Sequence, residues 1–590
     1  MSHLLAKLQS KFLSPNSSFE LAVRTLYHRI AATRLFFCWQ DFLAKQSYSK
    51  YRSKQKKAHL PQLESSSAFP KVTFLISCDP SSPADIQKTI NSLQTQQSNN
   101  WDAVVILIDQ LNHPIINRVN DNRIKIISIT ERVDPSKITG DYVVFCQAGD
   151  VFDSAFLTHF YHSLDSETPA DITYCDCEYS KAATDQIQPF FKPKGQSPAL
   201  LLSVNYLSRG FFRRQVMEKM WPIIDHNANL ITQEYDLVLR LCENDRILRH
   251  IPKVLISQKH LPTSNDPEIQ KVLAAFLRRQ DHKDVAASKL NTGIRFSWKS
   301  GSPSLATIVL SKNNYRFLNH LIPALLATPY EGQHTIHIVD NGSDDPATLD
   351  FYQHITQKPH VSIVPYPKPF NYSEAINLGV NEANSDLVLL MNDDMAVMDE
   401  IWLKELVQWA VKPEIGVVGA KLLRKNQTIQ HAGIIIGLTG FAGHIYLNAP
   451  ENYHGLMGSS NWYRNYLALT GACQMVRREV FNQVNGYDEA YRLAFGDIDF
   501  CLKVFEKGYL NVYSPFARLY HYEGSTRGYE TPSEDTRKGY ERLEPYLVNE
   551  DPYFSPNLTS SRIPKCVTGS LPEDERKQRI ATRKKYYLEK

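Results

Sequence analysis

No apolar run in these 590 residues is long enough to cross a membrane. The longest apolar patch near the start, Leu35-Phe36-Phe37-Cys38-Trp39, falls far short of the roughly 20 residues a spanning helix needs. No secretory leader is read at the N-terminus either, so the expectation is a cytoplasmic chain. In that setting Asn-X-Ser/Thr triplets such as Asn341-Gly342-Ser343 are chance and not glycan acceptors. The nine cysteines lie scattered without metal-ligand spacing, which disfavours a zinc module and points to reduced core thiols. Cys175 and Cys177, two apart, merely share one face of a strand. Large charge of one sign is missing too, the net being +4, and no nucleic-acid partner is expected.

What charge there is sits unevenly. Up to residue 58, eleven Lys or Arg face only Glu20 and Asp41, a surplus of nine that leaves the remainder at −5. Residues 1–67 read as helices, with Leu4, Leu5, Leu8 and Phe12, then Val23, Leu26, Tyr27 and Ile30, at helical spacing. Interleaved Lys and Arg lead into the Lys50-to-Lys57 cluster. Two readings stay open: contact with an anionic inner-membrane surface, each basic residue contributing about 1 kcal/mol, or a helical appendage packed on the main body. The basic tail, 561–590, with Arg579, Arg583, Lys584 and Lys585, invites the same pair of readings.

The rest is α/β. Lys71–Ser77, Trp101–Asp109 and Asp141–Cys146 read as buried strands, with a helix over Ala84–Gln94. After a polar stretch at Ser297–Ser304 the same order returns: strand Ala306–Ser311, helix Phe317–Leu326, strand His334–Asp340 and strand Ser385–Asp394. The expectation is two tandem copies of one parallel-sheet plan, at 68–290 and 303–560.

Ligands of open parallel sheets sit beyond the carboxyl ends of the strands. There the second copy delivers Asp340-Asn341-Gly342-Ser343, where an acid can accept from a base or ribose, or where Asn-Gly simply turns. Asn392-Asp393-Asp394 follows five apolar residues; its oxygens suit a magnesium or manganese ion, or cap the helix at Glu400–Ala410. His521, after a strand at Leu510–Leu519, could add a nitrogen ligand or be structural. Asp497 and Asp499 open a helix, where the dipole favours carboxylates, and either could serve as a general base.

Taken together, IVDNGSDD, PFNYSEAINLGVNEANSDLVLLMNDD, IQHAGIIIG, LTGACQMVRREVF, GYDEAYRLAFGDIDFCLKV and LYHYEGSTRG resemble the inverting, metal-dependent glycosyltransferases of family 2, from about Ala306 to Leu558. The closest group is that of two-domain bacterial enzymes of O-antigen and other surface glycans, rhamnosyltransferase-like members included. The resemblance implies two tandem GT-A-like (Rossmann-like) domains with an N-terminal helical extension. It implies a nucleoside diphosphate sugar donor, UDP- or dTDP-linked, contacted through Asp340, Asn341, Asn371, Asn377 and Asp393. Mg2+ or Mn2+ would be held by Asn392, Asp394 and His521, with Asn392 in place of the family's first Asp. Asp497 falls on the base and Gly496 on the Glu before it, which keeps Asp499 a second candidate. Thr470, Gly471, Asp488 and Glu489 would shape the acceptor pocket for a lipid-linked glycan, on the cytoplasmic face of the inner membrane.

The first copy resembles the family in outline only. Cys146-Gln147-Ala148-Gly149-Asp150 retains one clear ligand, Ser257 stands where the histidine belongs, and Asp236 is left as a candidate base. A degenerate domain that docks, holds acceptor or binds a partner is expected. The alternatives are a bifunctional enzyme, a non-catalytic scaffold of a glycan-assembly complex, and a nucleotidyltransferase. For the last, Ser311-Lys312-Asn313-Asn314 is a poor phosphate-gripping loop.

Overall fold

The computed structural model describes residues 33–58, 69–78, 83–107, 121–128, 138–165, 167–180, 186–221, 229–243, 246–522, 531–567 and 572–588. The apolar positions noted before Arg34, Asp109, and the Glu523–Gly528 part of the last motif lie outside them.

Two sheets share one strand order. The first runs Ile124–Ser128, Trp101–Leu107, Val72–Cys78, Tyr142–Gln147, Phe211–Arg213, Ile172–Ser180, Leu248–Gln258 and Val151–Phe152, with Ile187–Phe190 off the path on Ile172–Ser180. The second runs Val361–Pro365, His334–Asp340, Leu305–Ser311, Leu387–Asn392, Cys473–Arg477, Ile415–Leu423, Leu510–His521 and Met395–Val397. Each member of one list takes the place of its counterpart in the other. Both begin with four parallel strands, pass through a short antiparallel one, and end on a two-residue or three-residue strand at the far edge. The strands form where apolar runs allow burial on both faces: Leu387 through Met391 are all at most 1% exposed. Asp and Asn caps then start the helices that turn the chain back, as where Asp345 accepts from Thr348 N at 2.9 Å.

The two sheets pack as one body. A hydrophobic cluster continues from Val72 through Trp298 to Leu519. The antiparallel hairpin Ala286–Leu290 with Gly293–Ser297 joins them. From it Arg295 reaches Glu405, a fully buried carboxylate that also accepts from Gln408, Trp409, Tyr463 and Ser514. Across the junction Asn465 accepts from Ser197 Oγ and Ala199 N, and Asn557 donates to Asp176 and Pro252 O.

The described part of the basic head is one helix, Arg34–Lys57, capped by Thr33. It lies against both sheets. Arg52 donates to Glu178 and to Val254 O, Tyr48 donates to Glu178, and the Phe37 ring meets Tyr453 edge-on at 5.3 Å. Leu35, Trp39 and Phe42, at i, i+4 and i+7, are 83%, 44% and 55% exposed, with Lys565 Nζ 5.7 Å from the Trp39 ring centroid. Near the other end, Glu573–Leu588 is a helix tied to the Ser533–Asn549 helix through Arg576 to Val548 O and Lys584 to Glu544. No helix among the described residues is long and apolar enough to cross a membrane.

Candidate functional site

At the carboxyl edge of the second sheet, parallel register sets Ser311 beside Asp340 and Leu310 beside Asn392. The sequence-read residues divide here into those that converge and those that brace. Asn392, Asp394 and His521 converge. Met395 pairs with His521 across the edge, so Asp394 Oδ1 lies 3.2 Å from His521 Nε2 and the Asn392 amide 3.5 Å from the same nitrogen. Turning that amide presents its oxygen. Asp394 and His521 are each 5% exposed, and His521 Nδ1 is buried without a hydrogen-bond partner.

Asp393 accepts from Ser311 Oγ at 2.7 Å, yet burial pushes its carboxyl up to about 6. Asp340 accepts from Ser343 N at 3.0 Å and from Tyr352 Oη at 3.1 Å. Asn341 is a brace: its amide donates to Tyr366 O and Lys368 O. Asn371 caps the Tyr372–Glu382 helix and donates to Glu489 O. Asn377 exchanges bonds with Tyr487 and donates to Glu489. These contacts fix the 486–489 loop, where a Cβ on Gly486 (φ +57°) would sit 2.6 Å from Asn377 Oδ1. Asp488 and Glu489 stand on that loop, beside the helix end that carries the acids.

The helix Gly496–Glu506 separates its two acids. Asp497 is half-buried and turns to the Thr470–Cys473 connection, where Gly471 N donates to it at 2.8 Å. A Cβ on Gly471 would lie 3.2 Å from Asp497 Cβ and 3.3 Å from Tyr372 Oη, so a larger residue there would press on Asp497. Asp499 faces the other way and is held by Arg542 at 2.6 Å and Lys503 at 3.7 Å. Phe495, just before, has φ +66°, a strained conformation for a phenylalanine. Asp535 over-determines it: this fully buried carboxylate accepts from Arg492 N, Leu493 N and Ala494 N at 3.1, 2.8 and 2.8 Å.

Among the described residues no group of three or more His, Cys, Asp or Glu side chains is assembled to hold a metal ion. The set at this edge is one carboxylate, one imidazole and one amide. A hard divalent cation that keeps positions for substrate oxygens fits such donors.

Residues 307–484 match the model of glycosyl transferase family 2. They are a family 2 domain. The chain is 30% identical over 520 residues to an uncharacterized protein, y4gI, of Sinorhizobium fredii, covering 81% of this chain and 56% of that one. It is 28% identical over 544 residues to the O-antigen biosynthesis protein RfbC of Myxococcus xanthus, covering 87% and 42%. The chain thus spans about half the length of these curated relatives. An N-acetylglucosaminyl-diphospho-decaprenol L-rhamnosyltransferase of Mycobacterium tuberculosis matches at 37% identity over 65 residues, 11% of this chain and 21% of that one. Among solved structures, GalNAc-T7 with UDP, GalNAc and Mn2+ gives a TM-score of 0.36 at 14% identity, over 47% of this chain and 57% of that one. A score this low does not align two chains residue by residue.

The first sheet shows what became of the same edge outside the family 2 domain. Val151 pairs with Ser257 as Met395 pairs with His521, so Asp150 stands for Asp394 and Ser257 for the histidine. Asp236 binds Arg240 four residues on and Arg279 from the next helix, as Asp499 binds Lys503 and Arg542. The counterpart of Asp497 is therefore Glu234, two residues before, and not Asp236. Between Asp150 and Glu234 lies Arg209, 1% exposed, on the connection that parallels Thr470–Cys473. Its Nε donates to Asp150 Oδ2 at 2.8 Å, its Nη1 to Glu234 Oε2 at 3.3 Å, and its backbone N–H to Glu234 Oε1 at 2.6 Å. A fixed guanidinium fills the space between the two acids.

Three further residues escaped the sequence reading. Asp535 lies in an unremarkable charged helix. Arg209 is one arginine in SRGFFRR, with nothing local to mark it. His431, in the quoted IQHAGIIIG, is fully buried with Nδ1 2.9 Å from His444 Nδ1. Burial and the neighbouring His444 and His521 hold it well below the ordinary imidazole range, so it is neutral.

Proposed function

We propose that the chain is a glycosyltransferase that moves a sugar, with inversion, from a nucleoside diphosphate sugar to a hydroxyl of a growing surface glycan. The observation that carries this is the difference between the two edges. In the family 2 domain Asn392, Asp394 and His521 converge with Asp497 close by, whereas Arg209 occupies the equivalent space in the first copy.

In this reading Asp340, with Ser343 and Tyr352 orienting its carboxylate, receives the nucleoside of a UDP- or dTDP-linked donor. Asn392, Asp394 and His521 would hold Mg2+ or Mn2+, which when bound offsets the charge of the departing diphosphate. Asp497 takes the proton of the acceptor hydroxyl as it attacks the anomeric carbon from the face opposite the leaving group. The Gly471 N–H bond aims that carboxylate, and Asp535 holds the strained turn that presents it. One displacement inverts the configuration without a covalent sugar–enzyme species. Asp499, held by Arg542, braces the helix.

The acceptor in this reading is lipid-linked. The exposed Leu35, Trp39 and Phe42, with Lys45 alongside, support contact with a membrane surface. The arginine between Asp150 and Glu234 weighs against a second transferase site in the first copy. The test is cation-dependent release of nucleoside diphosphate from a panel of sugar nucleotides. Turnover lost in Asp497→Asn supports the reading; no turnover with any donor and any divalent cation supports a scaffold instead.

A further inference from the structure

Where the hairpin between the sheets meets both of them lies a cleft of about 380 Å3, within the range of about 300–1,000 Å3 typical of small-molecule sites. The first sheet supplies Tyr179 from the end of Ile172–Ser180, and His260 and Asn265 from the loop after Leu248–Gln258. The second supplies His454, Asn461 and Trp462. None of the lining residues is Asp, Glu, Lys or Arg. The rest are serines, threonines, a glycine and two aliphatic side chains.

The cleft is built, not incidental. Tyr179 Oη and His454 Nε2 meet at 2.7 Å across the junction. His454 stands edge-on to the half-buried Trp462 at 5.5 Å, and Phe190 packs on Trp462 at 5.3 Å. Arg464 lies 5.7 Å from the indole centroid. Asn461 accepts from the buried Lys421 Nζ at 2.5 Å, so its amide nitrogen is oriented; it donates to Asn452. Aromatic surface gives a platform for apolar ring faces, while hydroxyls, amides and imidazoles offer donors and acceptors of both kinds. No lining side chain carries a permanent charge, and the cations behind it are committed, Lys421 to Glu451 O and Asn461 and Arg464 to Met457 O, so a phosphate or carboxylate would find no dedicated partner.

We infer that this cleft is a binding site for a neutral oligosaccharide, the already assembled part of the acceptor, held jointly by the degenerate first copy and the family 2 domain. Its reach suits that role. Lys421, bonded to Asn461, pairs in register with Arg518, three residues before His521, or about 10 Å of strand. The cleft is thus tied to the strand that carries His521 to the carboxyl edge of the second sheet. The acceptor assignment rests on the glycosyl-transfer reading; the binding site does not.

The experiment applies the full chain to an array of neutral and anionic bacterial-type oligosaccharides, and follows the strongest neutral ligand by calorimetric titration. Two variants accompany it: Trp462→Ala, and Asn265→Trp, which fills the cleft from an exposed position. The inference expects neutral glycans to bind in preference to anionic ones. Both cleft variants should weaken binding at least tenfold. That pattern with no turnover on any donor would sink the transferase reading while keeping the site. Absence of neutral-glycan binding overturns the site, as does binding unchanged in Asn265→Trp. Should Trp462→Ala melt early, Asn265→Trp alone decides.

Discussion

Replacing Arg209 by methionine removes the guanidinium between Asp150 and Glu234 while nearly conserving volume, so the cavity term is small. Both carboxylates are fully buried, Asp150 at 0% and Glu234 at 0% exposure. Taking away one partner of such a group costs about 3–5 kcal/mol, because an uncompensated charge stays buried. Lys192, also at 0% exposure, lies close enough to favour ionised Glu234 and offsets part of this, so the low end, about 3 kcal/mol, is expected. The pH dependence carries a sign. Burial pushes Glu234 up to about 7 even with Arg209 beside it. A carboxyl raised above its unfolded value, about 4.3, contributes stability that is complete below that value. The contribution is lost as pH rises through about 7. Without Arg209 the carboxyl rises further, so the variant should lose more stability at pH 8 than at pH 5.5. Urea unfolding followed by far-ultraviolet circular dichroism at the two pH values measures it. A loss below 1 kcal/mol at both, or a larger loss at pH 5.5, would refute the placement of an ionised guanidinium between two acids.

Other changes separate positioning from chemistry. Asp535→Ala strips three backbone N–H groups of their acceptor; kcat should fall at least tenfold with donor KM little changed, read by steady-state kinetics, and Asp535→Asn should restore part of it. Asp499→Asn breaks the contact with Arg542 and should lower the melting temperature by a few degrees while turnover stays within about threefold, since Asp499 faces away from Gly471. His521→Ala should raise the Mn2+ concentration for half-maximal activity by at least about tenfold, measured by metal titration of turnover, since even the partners behind a ligand are worth about 10–100-fold.

Apolar runs with polar ends made the fold legible. Leu387–Met391 followed by Asn392 reads as a buried strand that surfaces at the carboxyl edge of the sheet, and the strand is there. The tandem order was legible because each copy repeats the same spacing of runs; strand ends moved by only a residue or two, as from Leu519 to His521. The vacancy at Ser257 was visible by counting from the last strand. What filled the gap was not. Arg209 reaches Asp150 across 59 positions and Glu234 across 25, and no periodicity encodes such contacts. The same holds for Asp535, whose partners lie more than 40 positions away. Asn341, Asn371 and Asn377 read as donor-site residues, yet each amide nitrogen donates to a backbone carbonyl, a distinction only coordinates reveal. The Arg34–Lys57 helix showed its charge in the sequence, but not that Arg52 is turned inward to Glu178.

One assay sets the two sheet edges against each other. Full-length chain, Asp497→Asn and Glu234→Gln are each given a panel of UDP- and dTDP-linked sugars with Mn2+ or Mg2+ and a glycolipid extract, and released nucleoside diphosphate is measured. Cation-dependent turnover is expected in the parent, with a loss of about 10²–10⁴-fold in Asp497→Asn and near-parental turnover in Glu234→Gln. Turnover that survives Asp497→Asn, or that disappears with Glu234→Gln while the protein stays folded, would contradict that expectation.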